Sequence, residues 1–383
     1  MASKGRFTAF AIASVWFTTH FGGGFASGRQ LVDFYVQYGV YALLMPIVSV
    51  GIITAVLYVS WDFSRERGIF DYRNWSNAYF KPFQAVFSNI IELSYLTILL
   101  MATAVAFATG GTVVAETLGT PYLANTICIA VLIFFLTIFG ADTVRKAASV
   151  MAALIIGGML TIYISNLVVN FGLLREVVAE APKPKGFFPA LWQAIKYGGL
   201  QCSLIGAYIA VADGFESKAD VRKAAFYGFI MNGGVLLLAS GGVLAHYPAI
   251  MTEKAPILYI TRNGGGGEIG VMIVSMIIFL AVISTGVGLI YGGTRRVTAW
   301  WCQRTGAAAG PKIDAVSSFV YVFASWSIAR FGLIPLIGKG YAWVGAIATP
   351  LVVVPILAFA VWHRARRSAP GVVANPVPAE GDS

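Results

Sequence analysis

Near the middle of its first apolar run, the chain reads Thr18-Thr19-His20-Phe21-Gly22-Gly23-Gly24-Phe25-Ala26-Ser27-Gly28. The run extends over residues 7–36, which is longer than the about 20 residues that one straight helical crossing of a bilayer needs. Consecutive glycines weaken a helix. Irregular backbone at the depth of the bilayer core is tolerated only where it lines a cavity or is buried in protein. The stretch therefore predicts a membrane helix that is broken at a cavity.

A second interrupted run follows in the other half of the chain. It spans residues 187–212, and its centre reads Lys196-Tyr197-Gly198-Gly199-Leu200-Gln201-Cys202-Ser203. Glycines and polar side chains again occupy the middle of an apolar segment. The alternative interpretation of both stretches is that small residues let neighbouring membrane helices pack closely.

The positions of the two interrupted runs indicate a transporter. The chain has ten apolar runs long enough to cross a bilayer, at residues 7–36, 40–61, 83–109, 121–140, 144–171, 187–212, 224–246, 269–293, 314–332 and 341–363. The interrupted runs are the first and the sixth, so each opens a set of five. Because five is odd, the second set is expected to be inverted relative to the first. Interrupted helices at corresponding positions of inverted halves indicate the solute site of a secondary transporter.

Composition excludes several other classes of protein. Of the 383 residues, 58% are hydrophobic and 11% are charged, whereas soluble domains contain about 25% charged residues. The net charge of +10 lies in short clusters between the apolar runs, so a nucleic-acid-binding face is not expected. The cysteines, Cys128, Cys202 and Cys302, have neither zinc-site spacing nor the density of a disulfide framework. HExxH, GxSxG and paired-acid motifs are also absent from the sequence, so we do not expect an enzyme.

The distribution of positive charge predicts an orientation. With a cytoplasmic N-terminus, about two thirds of the Lys and Arg residues fall at the termini and in cytoplasmic loops. We therefore expect a multi-pass protein of the plasma membrane, the inner membrane in a bacterium, with both termini cytoplasmic. The first run continues into its glycines without a cleavage site, so no signal peptide is expected. Residues 1–363 are expected to form one transmembrane domain with halves 7–171 and 187–363, and the polar residues 364–383 a disordered tail.

Ionisable side chains inside apolar runs are candidates for function because they are costly in a membrane. His20 lies two residues before the first glycine stretch, and Lys196 lies two residues before the second. Both are therefore expected to face the cavity. Glu92, in the third run, is expected to pair with Lys196 or to bind a cationic part of the solute. Two alternatives stay open: a purely structural Glu92–Lys196 pair, and a neutral His20 bonded to a carbonyl. Arg29 and Asp33 are four residues apart and are able to pair on one helix face.

The expected solute site combines the two interrupted stretches with the third run. Half-helix N-termini at such breaks bind anionic groups, and freed carbonyls bind a cation. A carboxylate fits the glycines and an amine fits Glu92, so an amino acid fits both. The expected solute-binding residues are His20, Gly22, Gly23, Gly24, Phe25, Glu92, Tyr95, Lys196, Tyr197, Gly198, Gly199 and Gln201.

The glycine stretch carries a family resemblance. Residues 22–30, Gly-Gly-Gly-Phe-Ala-Ser-Gly-Arg-Gln, are similar to the G-A-G-F-A-S-G-Q-E run of YkvI-type membrane proteins. The chain resembles LeuT-fold transporters of the amino acid–polyamine–organocation superfamily. This resemblance implies an all-α polytopic protein of about ten transmembrane helices in a 5+5 inverted repeat, with helices 1 and 6 broken. It also implies that the glycines offer backbone N–H groups to a substrate carboxylate.

A second motif resembles the sodium site of that superfamily. Ala281-x-x-Ser284-Thr285 is similar to the A-x-x-[ST]-[ST] pattern that supplies a carbonyl and two hydroxyls to Na+. In the family the remaining ligands are carbonyls of the first helix, which carry over to Thr18 and Phe21. Five neutral oxygens suit a hard monovalent cation. Some relatives use a Lys of the fifth helix instead; here Lys146 lies at the end of that run, which favours an ion. No other cofactor is expected.

Two further features of the resembled family concern the side of the protein that faces away from the cytoplasm. In the resembled family, a basic residue at a position near that of Arg29 closes an outer gate against an acid on the tenth helix. This chain has no acid between Asp314 and Glu380. The gate partner is therefore missing. The loop 248–267 resembles the outer lid of the fold.

We expect a secondary active transporter of a small polar organic solute, with an amino acid-like solute favoured, that works by Na+-coupled symport and alternating access. Its partners are the solute and the lipid bilayer, and the sequence does not indicate an oligomeric state. One alternative is proton coupling through His20 or Glu92 with an amine or nucleobase-type solute. Another is a membrane sensor that binds a solute without moving it.

Overall fold

A computed structural model describes residues 2–139, 141–306, 308 and 310–368, and its regular elements in those ranges are all helical. In chain order the α-helices are α1 (Ala2–His20), α2 (Gly23–Ala26), α3 (Arg29–Phe34), α4 (Met45–Arg67), α5 (Tyr72–Tyr79), α6 (Gln84–Leu118), α7 (Tyr122–Phe139), α8 (Ala141–Val169), α9 (Phe171–Glu180), α10 (Phe187–Cys202), α11 (Ile205–Ile209), α12 (Lys218–Leu244), α13 (Pro256–Thr261), α14 (Gly267–Thr305), α15 (Pro311–Ala329), α16 (Leu333–Pro335), α17 (Ala342–Ala348) and α18 (Val354–Ser368).

The first apolar run is broken where the glycines predict. α1 ends at His20, and Gly22 takes an extended conformation with φ −69° and ψ −173°. The four-residue α2 follows, and Gly28, at φ +77°, turns the chain into α3. That left-handed conformation favours glycine, and a β-carbon at Gly28 would also lie 3.2 Å from the backbone nitrogen of Ile257. The run is thus divided into the 19-residue α1 and two short helices of four and six residues.

The second break lies later than its glycines suggest. α10 continues through Gly198 and Gly199 and ends at Cys202. A β-carbon at Gly199 would lie 2.4 Å from the Thr349 hydroxyl and 2.6 Å from the Gly345 carbonyl. The break therefore lies at the end of the predicted stretch 196–203, after its glycines. They let α10 pack closely against its neighbours, which is the alternative that small residues in membrane helices offer.

Each of the ten predicted runs coincides with one or more described helices. By length and apolar composition, six helical segments of the described chain are able to cross a membrane: Met45–Arg67, Gln84–Leu118, Tyr122–Phe139, Lys218–Leu244, Pro256–Thr305 and Leu333–Arg366. A seventh is the bent pair Ala153–Val169 and Phe171–Glu180, with a 71° angle between its parts. The first and sixth predicted runs are divided by their breaks, and α15, which covers most of the ninth run, is not among these segments.

The last run is a helix with two local irregularities. π-helical segments occupy Leu336–Tyr341 and Thr349–Val353, between α16, α17 and α18. Such segments often occur at functional sites. α18 reaches Ser368, five residues past the boundary at 363 that the sequence suggests, and the rest of the expected tail lies outside the described residues.

The central helices bring the first break next to the middle of α14. α14 packs along α6, α8 and α15, while α1 packs along α12 and α10 lies between α4 and α17. Gly228 of α12 receives the Trp16 ring of α1, since a β-carbon there would lie 2.1 Å from a ring carbon. Large apolar side chains such as Phe135, Phe139 and Phe319 are exposed. This apolar exterior is suited to lipid.

Candidate functional site

A cavity of about 700 Å³ opens at the first break. The described side chains around it come from α1, α2, α3, α6, α8, α10, α14 and the π-segment before α17, and none of them is Asp, Glu, Lys or Arg. The lining residues are Ser14, Val15, Thr18, Thr19, His20, Phe21, Gly22, Gly24, Phe25, Gln30, Ile98, Ala102, Ala153, Ile155, Ile156, Leu200, Gln201, Leu204, Ser284, Thr285, Gly288, Leu289 and Tyr341.

Four of the five residues expected to hold Na+ line this cavity. Thr18 and Phe21, in and after the last turn of α1, line it with Ser284 and Thr285 of α14. A β-carbon at Gly22 would lie 3.0 Å from the Thr285 hydroxyl oxygen, so the absence of a side chain allows this approach. Carbonyls in the last turn of a helix have no partner within the helix. The fifth expected ligand residue, Ala281, is buried one turn away on α14 and is not among the lining residues.

The His20 ring lines the cavity and is held by two side chains behind it. Its Nδ1 is 2.8 Å from Asn232 Oδ1, and its Nε2 is 2.8 Å from the Tyr197 hydroxyl. Asn232 donates its amide to the Gly228 carbonyl at 2.7 Å, so its oxygen faces His20. With Nδ1 as the donor, Nε2 accepts from Tyr197 and the imidazole is neutral. This arrangement corresponds to the alternative in which His20 is neutral. The acceptor is the side-chain oxygen of Asn232 instead of a backbone carbonyl.

Tyr197 and Gln201 belong to the same side of α10 but differ in exposure to the cavity. Tyr197 is fully buried behind His20 and packs edge-on against Phe34 with ring centroids 5.0 Å apart. Gln201, one turn further along α10, lines the cavity. Gln30, which also lines it, lies 3.5 Å from the Tyr197 hydroxyl. The two halves of the chain therefore meet through polar side chains at this point.

Glu92 lies away from the cavity. Its carboxylate accepts a 2.5 Å hydrogen bond from Tyr72 and lies 3.9 Å from both Arg73 and Arg296. The expected Glu92–Lys196 ion pair is therefore wrong. Ile98, which does line the cavity, is six residues further along α6, a displacement of about 9 Å along the axis onto another helix face.

Tyr95 and Lys196 are also not among the lining residues. The Tyr95 ring lies against Gly206 of α11, where a β-carbon would be 3.1 Å from it. Lys196 is half-buried, and its carbonyl packs against Gly345. Neighbouring residues of a helix point about 100° apart. Because Tyr197 faces His20, Lys196 faces elsewhere. The Lys146 side chain lies outside the described residues.

Several lining residues were not predicted from the sequence. Gly288 lies four residues after the predicted Ser284 on one helix face, so helical periodicity around Ser284 was the available signal. Ile98, Ala102 and Tyr341 had no predicted residue four positions away on the same face. Asn232, which bonds His20 behind the cavity wall, also had no local signal, because it lies on a helix distant in the sequence.

A buried arginine joins the first broken helix to the loop expected to act as a lid. Arg29 binds Asp33 through two hydrogen bonds of 3.0 and 2.6 Å. It also donates to the carbonyls of Met251 and Glu253 at 2.9 and 2.8 Å. A β-carbon at Gly338, on the last run, would lie 3.6 Å from the Asp33 carboxylate. Asp33 is thus the acidic partner of Arg29, on its own helix.

Comparison with known proteins agrees with this architecture. No protein-family model matches the chain. It is 26% identical over 307 residues to the uncharacterized membrane protein YkvI of Bacillus subtilis (strain 168), covering 78% of this chain and 83% of that protein.

Three solved structures share the fold at low sequence identity. They are MhsT in complex with L-phenylalanine (TM-score 0.62, 13% identity, 91% of this chain and 87% of that one), a Na+-coupled sialic acid symporter (0.53, 14%, 94% and 96%) and a manganese transporter of Eremococcus coleocola (0.52, 12%, 94% and 85%). These neighbours are LeuT-fold transporters. The chain is therefore a helical membrane protein with the LeuT fold, similar in sequence to YkvI.

Proposed function

We propose that this protein is a secondary active transporter that carries a small polar, amino acid-like solute together with Na+. The observation that supports this most strongly is the approach of Gly22 to Thr285, with the β-position of Gly22 3.0 Å from the Thr285 hydroxyl oxygen. Through this approach the end of α1 and the hydroxyl-bearing residues of α14 border the same cavity. Neutral oxygens suit a hard monovalent cation. The Na+-coupled symporter among the structural neighbours is consistent with this choice.

The proposed architecture follows the inverted repeat. Residues 7–171 and 187–363 form two sets of five crossings of opposite orientation, with α1 and α10 leading into the broken helices. Both termini are cytoplasmic, because about two thirds of the Lys and Arg residues then lie on the cytoplasmic side. The membrane is the plasma membrane, the inner membrane in a bacterium.

In the proposed mechanism, Na+ joins α14 to the end of α1. Hydroxyls of Ser284 and Thr285 and carbonyls near Thr18, Phe21 and Ala281 hold the ion. This contact orders Gly22–Gly24, whose backbone N–H groups then bind the solute carboxylate. Coupling of this kind is reciprocal, so the solute raises the affinity for Na+ by the same factor as Na+ raises the affinity for the solute.

A binding screen tests the proposal. The melting temperature of the purified protein is measured with amino acids, amines or nucleobases, each in Na+ and in choline buffer. A ligand that binds the folded state raises this temperature. We expect amino acids to stabilise the protein in Na+ and much less in choline. The Ser284→Ala/Thr285→Ala variant should lose this difference. Ser275→Ala is the matched control, since Ser275 lies on the same helix and bonds Thr117 at 2.7 Å.

The screen also has contradicting results. Equal stabilisation of the wild-type protein in Na+ and choline contradicts sodium coupling. Retention of the Na+ effect by the double variant contradicts the assignment of the ion to Ser284 and Thr285. Stabilisation by a solute without counterflow of that solute in liposomes indicates a sensor instead of a transporter.

A further inference from the structure

One buried polar atom of a cavity-lining side chain has no hydrogen-bond partner among the described residues. Gln201 is 6% exposed and lines the cavity, and its buried carbonyl oxygen Oε1 accepts no hydrogen bond. A buried acceptor without a donor is unfavourable, because it has lost its water and gained nothing in return. Such an atom in a cavity-lining side chain is suited to a donor that arrives with the ligand.

The polar neighbours of Gln201 form a chain from α12 to α10. Asn232 donates to the Gly228 carbonyl and accepts from His20 Nδ1 at 2.8 Å. His20 Nε2 is 2.8 Å from the hydroxyl of Tyr197, which lies one helical turn before Gln201 on α10. None of these groups donates a hydrogen bond to the Gln201 carbonyl oxygen.

The same hydroxyl places Gln201 close to the glycine break. Tyr197 Oη is 3.5 Å from Gln30 Oε1, and Gln30 Nε2 would lie 3.1 Å from a β-carbon on Gly24. Gly22, Gly24 and Gln201 all line the cavity, so the glycine break and the Gln201 side chain border the same space.

The remaining wall is apolar and aromatic. Phe21 lies between His20 and Phe25, with ring centroids 4.6 Å from each. Aromatic faces attract any ammonium group, whether or not it carries a proton. Leu200 and Leu289 add apolar surface. None of these groups distinguishes a primary amine from a quaternary one, whereas an unpaired carbonyl oxygen does.

We propose that Gln201 Oε1 accepts a hydrogen bond from the amino group of the solute, so that the site selects amino acids with an N–H over their quaternary ammonium derivatives. This inference rests on the proposed function and specifies the solute class of that same site. The ammonium charge is balanced by the carboxylate of the solute itself, at Gly22–Gly24. A site built to bond a donor rejects the analogue that lacks it.

The test compares matched pairs of probes. L-alanine, L-leucine and L-phenylalanine are each compared with the corresponding N,N,N-trimethyl derivative for binding to the purified full-length protein in Na+ buffer. For the wild-type protein we expect the amino acid to bind about tenfold or more tightly than its derivative. Gln201→Met, of similar size and without the acceptor, should reduce this ratio to about two, chiefly by weakening the amino acid.

Two further variants control for folding. Gln201→Glu keeps an acceptor and should keep the preference for the amino acid. Gln193→Met is the matched control: Gln193 is buried on the same helix, donates to the Asp33 carbonyl at 3.0 Å and does not line the cavity. It should retain the wild-type ratio. If Gln201→Met does not fold, the wild-type and Gln201→Glu ratios still decide.

The outcomes separate this inference from the proposed function. A wild-type protein that binds both members of each pair equally, or a folded Gln201→Met that keeps the wild-type ratio, overturns the role of Gln201. The transporter proposal survives both results. If no amino acid and no derivative binds the wild-type protein, the amino acid-like solute and the role of Gln201 are both overturned.

Discussion

The close approach of Gly22 to Thr285 makes Gly22→Ala an informative change. Gly22 already has φ −69° and ψ −173°, which alanine adopts without strain. The added β-carbon would lie 3.0 Å from the Thr285 hydroxyl oxygen and 3.5 Å from its methyl carbon. Ordinary contacts begin at about 3.5 Å, so α1 and α14 must separate by a few tenths of an ångström. The disturbance falls on the proposed sodium site.

The magnitude follows from the cost of inserting one carbon into a packed site, about 1–3 kcal/mol. If the cost is larger in the Na+-bound protein than in the Na+-free protein by about half of this amount, Na+ affinity falls by about threefold to tenfold. The melting temperature without Na+ should change little, since the apo protein has freedom to relax. Na+ titrations of solute binding measure the affinity. Gly51→Ala is the control, because nothing lies within 4 Å of a β-carbon at Gly51.

A second change in the same contact tests the cause. Thr285→Ser keeps the hydroxyl but removes the methyl group, so in the Gly22→Ala background the shorter side chain has more freedom to turn away from the added β-carbon. We expect Gly22→Ala/Thr285→Ser to regain part of the lost Na+ affinity. Gly22→Ala with an unchanged Na+ titration would refute the reasoning, and so would a loss of Na+ affinity in Gly51→Ala.

Three other changes give expected outcomes. Arg29→Gln leaves Asp33 buried without its cation, a loss of about 3–5 kcal/mol, so the melting temperature should fall sharply; Arg29→Gln/Asp33→Asn should recover most of it, and no recovery would contradict a buried pair. Gly199→Ala should lower the yield of folded protein, because its β-carbon would lie 2.4 Å from the Thr349 hydroxyl; an unaffected yield would contradict that packing. His20→Gln should leave the pH profile of uptake between about pH 6 and 8 unchanged, because both His20 ring nitrogens bond neutral side chains and Na+ is the proposed coupling ion; a flattened profile would indicate proton coupling.

The sequence predicted the first break well because its signal is local. Gly28 turns the chain at φ +77°, a conformation that favours glycine and that is set within the interrupted run itself. Ser284 and Thr285, which the resemblance indicated by their spacing on one helix, line the cavity. Both features depend on residues a few positions apart.

The errors concern packing between distant helices. Gly198 and Gly199 resemble a break in the sequence, but Ile52 and Thr349 lie against them and the helix continues. Whether a glycine breaks a membrane helix or admits a neighbour depends on that neighbour. Glu92 was misplaced because helix rotation is set by partners, here Arg296 of α14. No spacing within α6 indicates which face meets that arginine.

Uptake into liposomes under separate ion gradients tests the central claim most directly. Purified protein is reconstituted, and entry of a labelled amino acid found in the binding screen is measured under an inward Na+ gradient, and under an inward H+ gradient with choline. We expect the Na+ gradient to drive accumulation and the H+ gradient to leave it at the level of protein-free liposomes. Accumulation driven by the H+ gradient in the absence of Na+ would contradict sodium-coupled transport through this site.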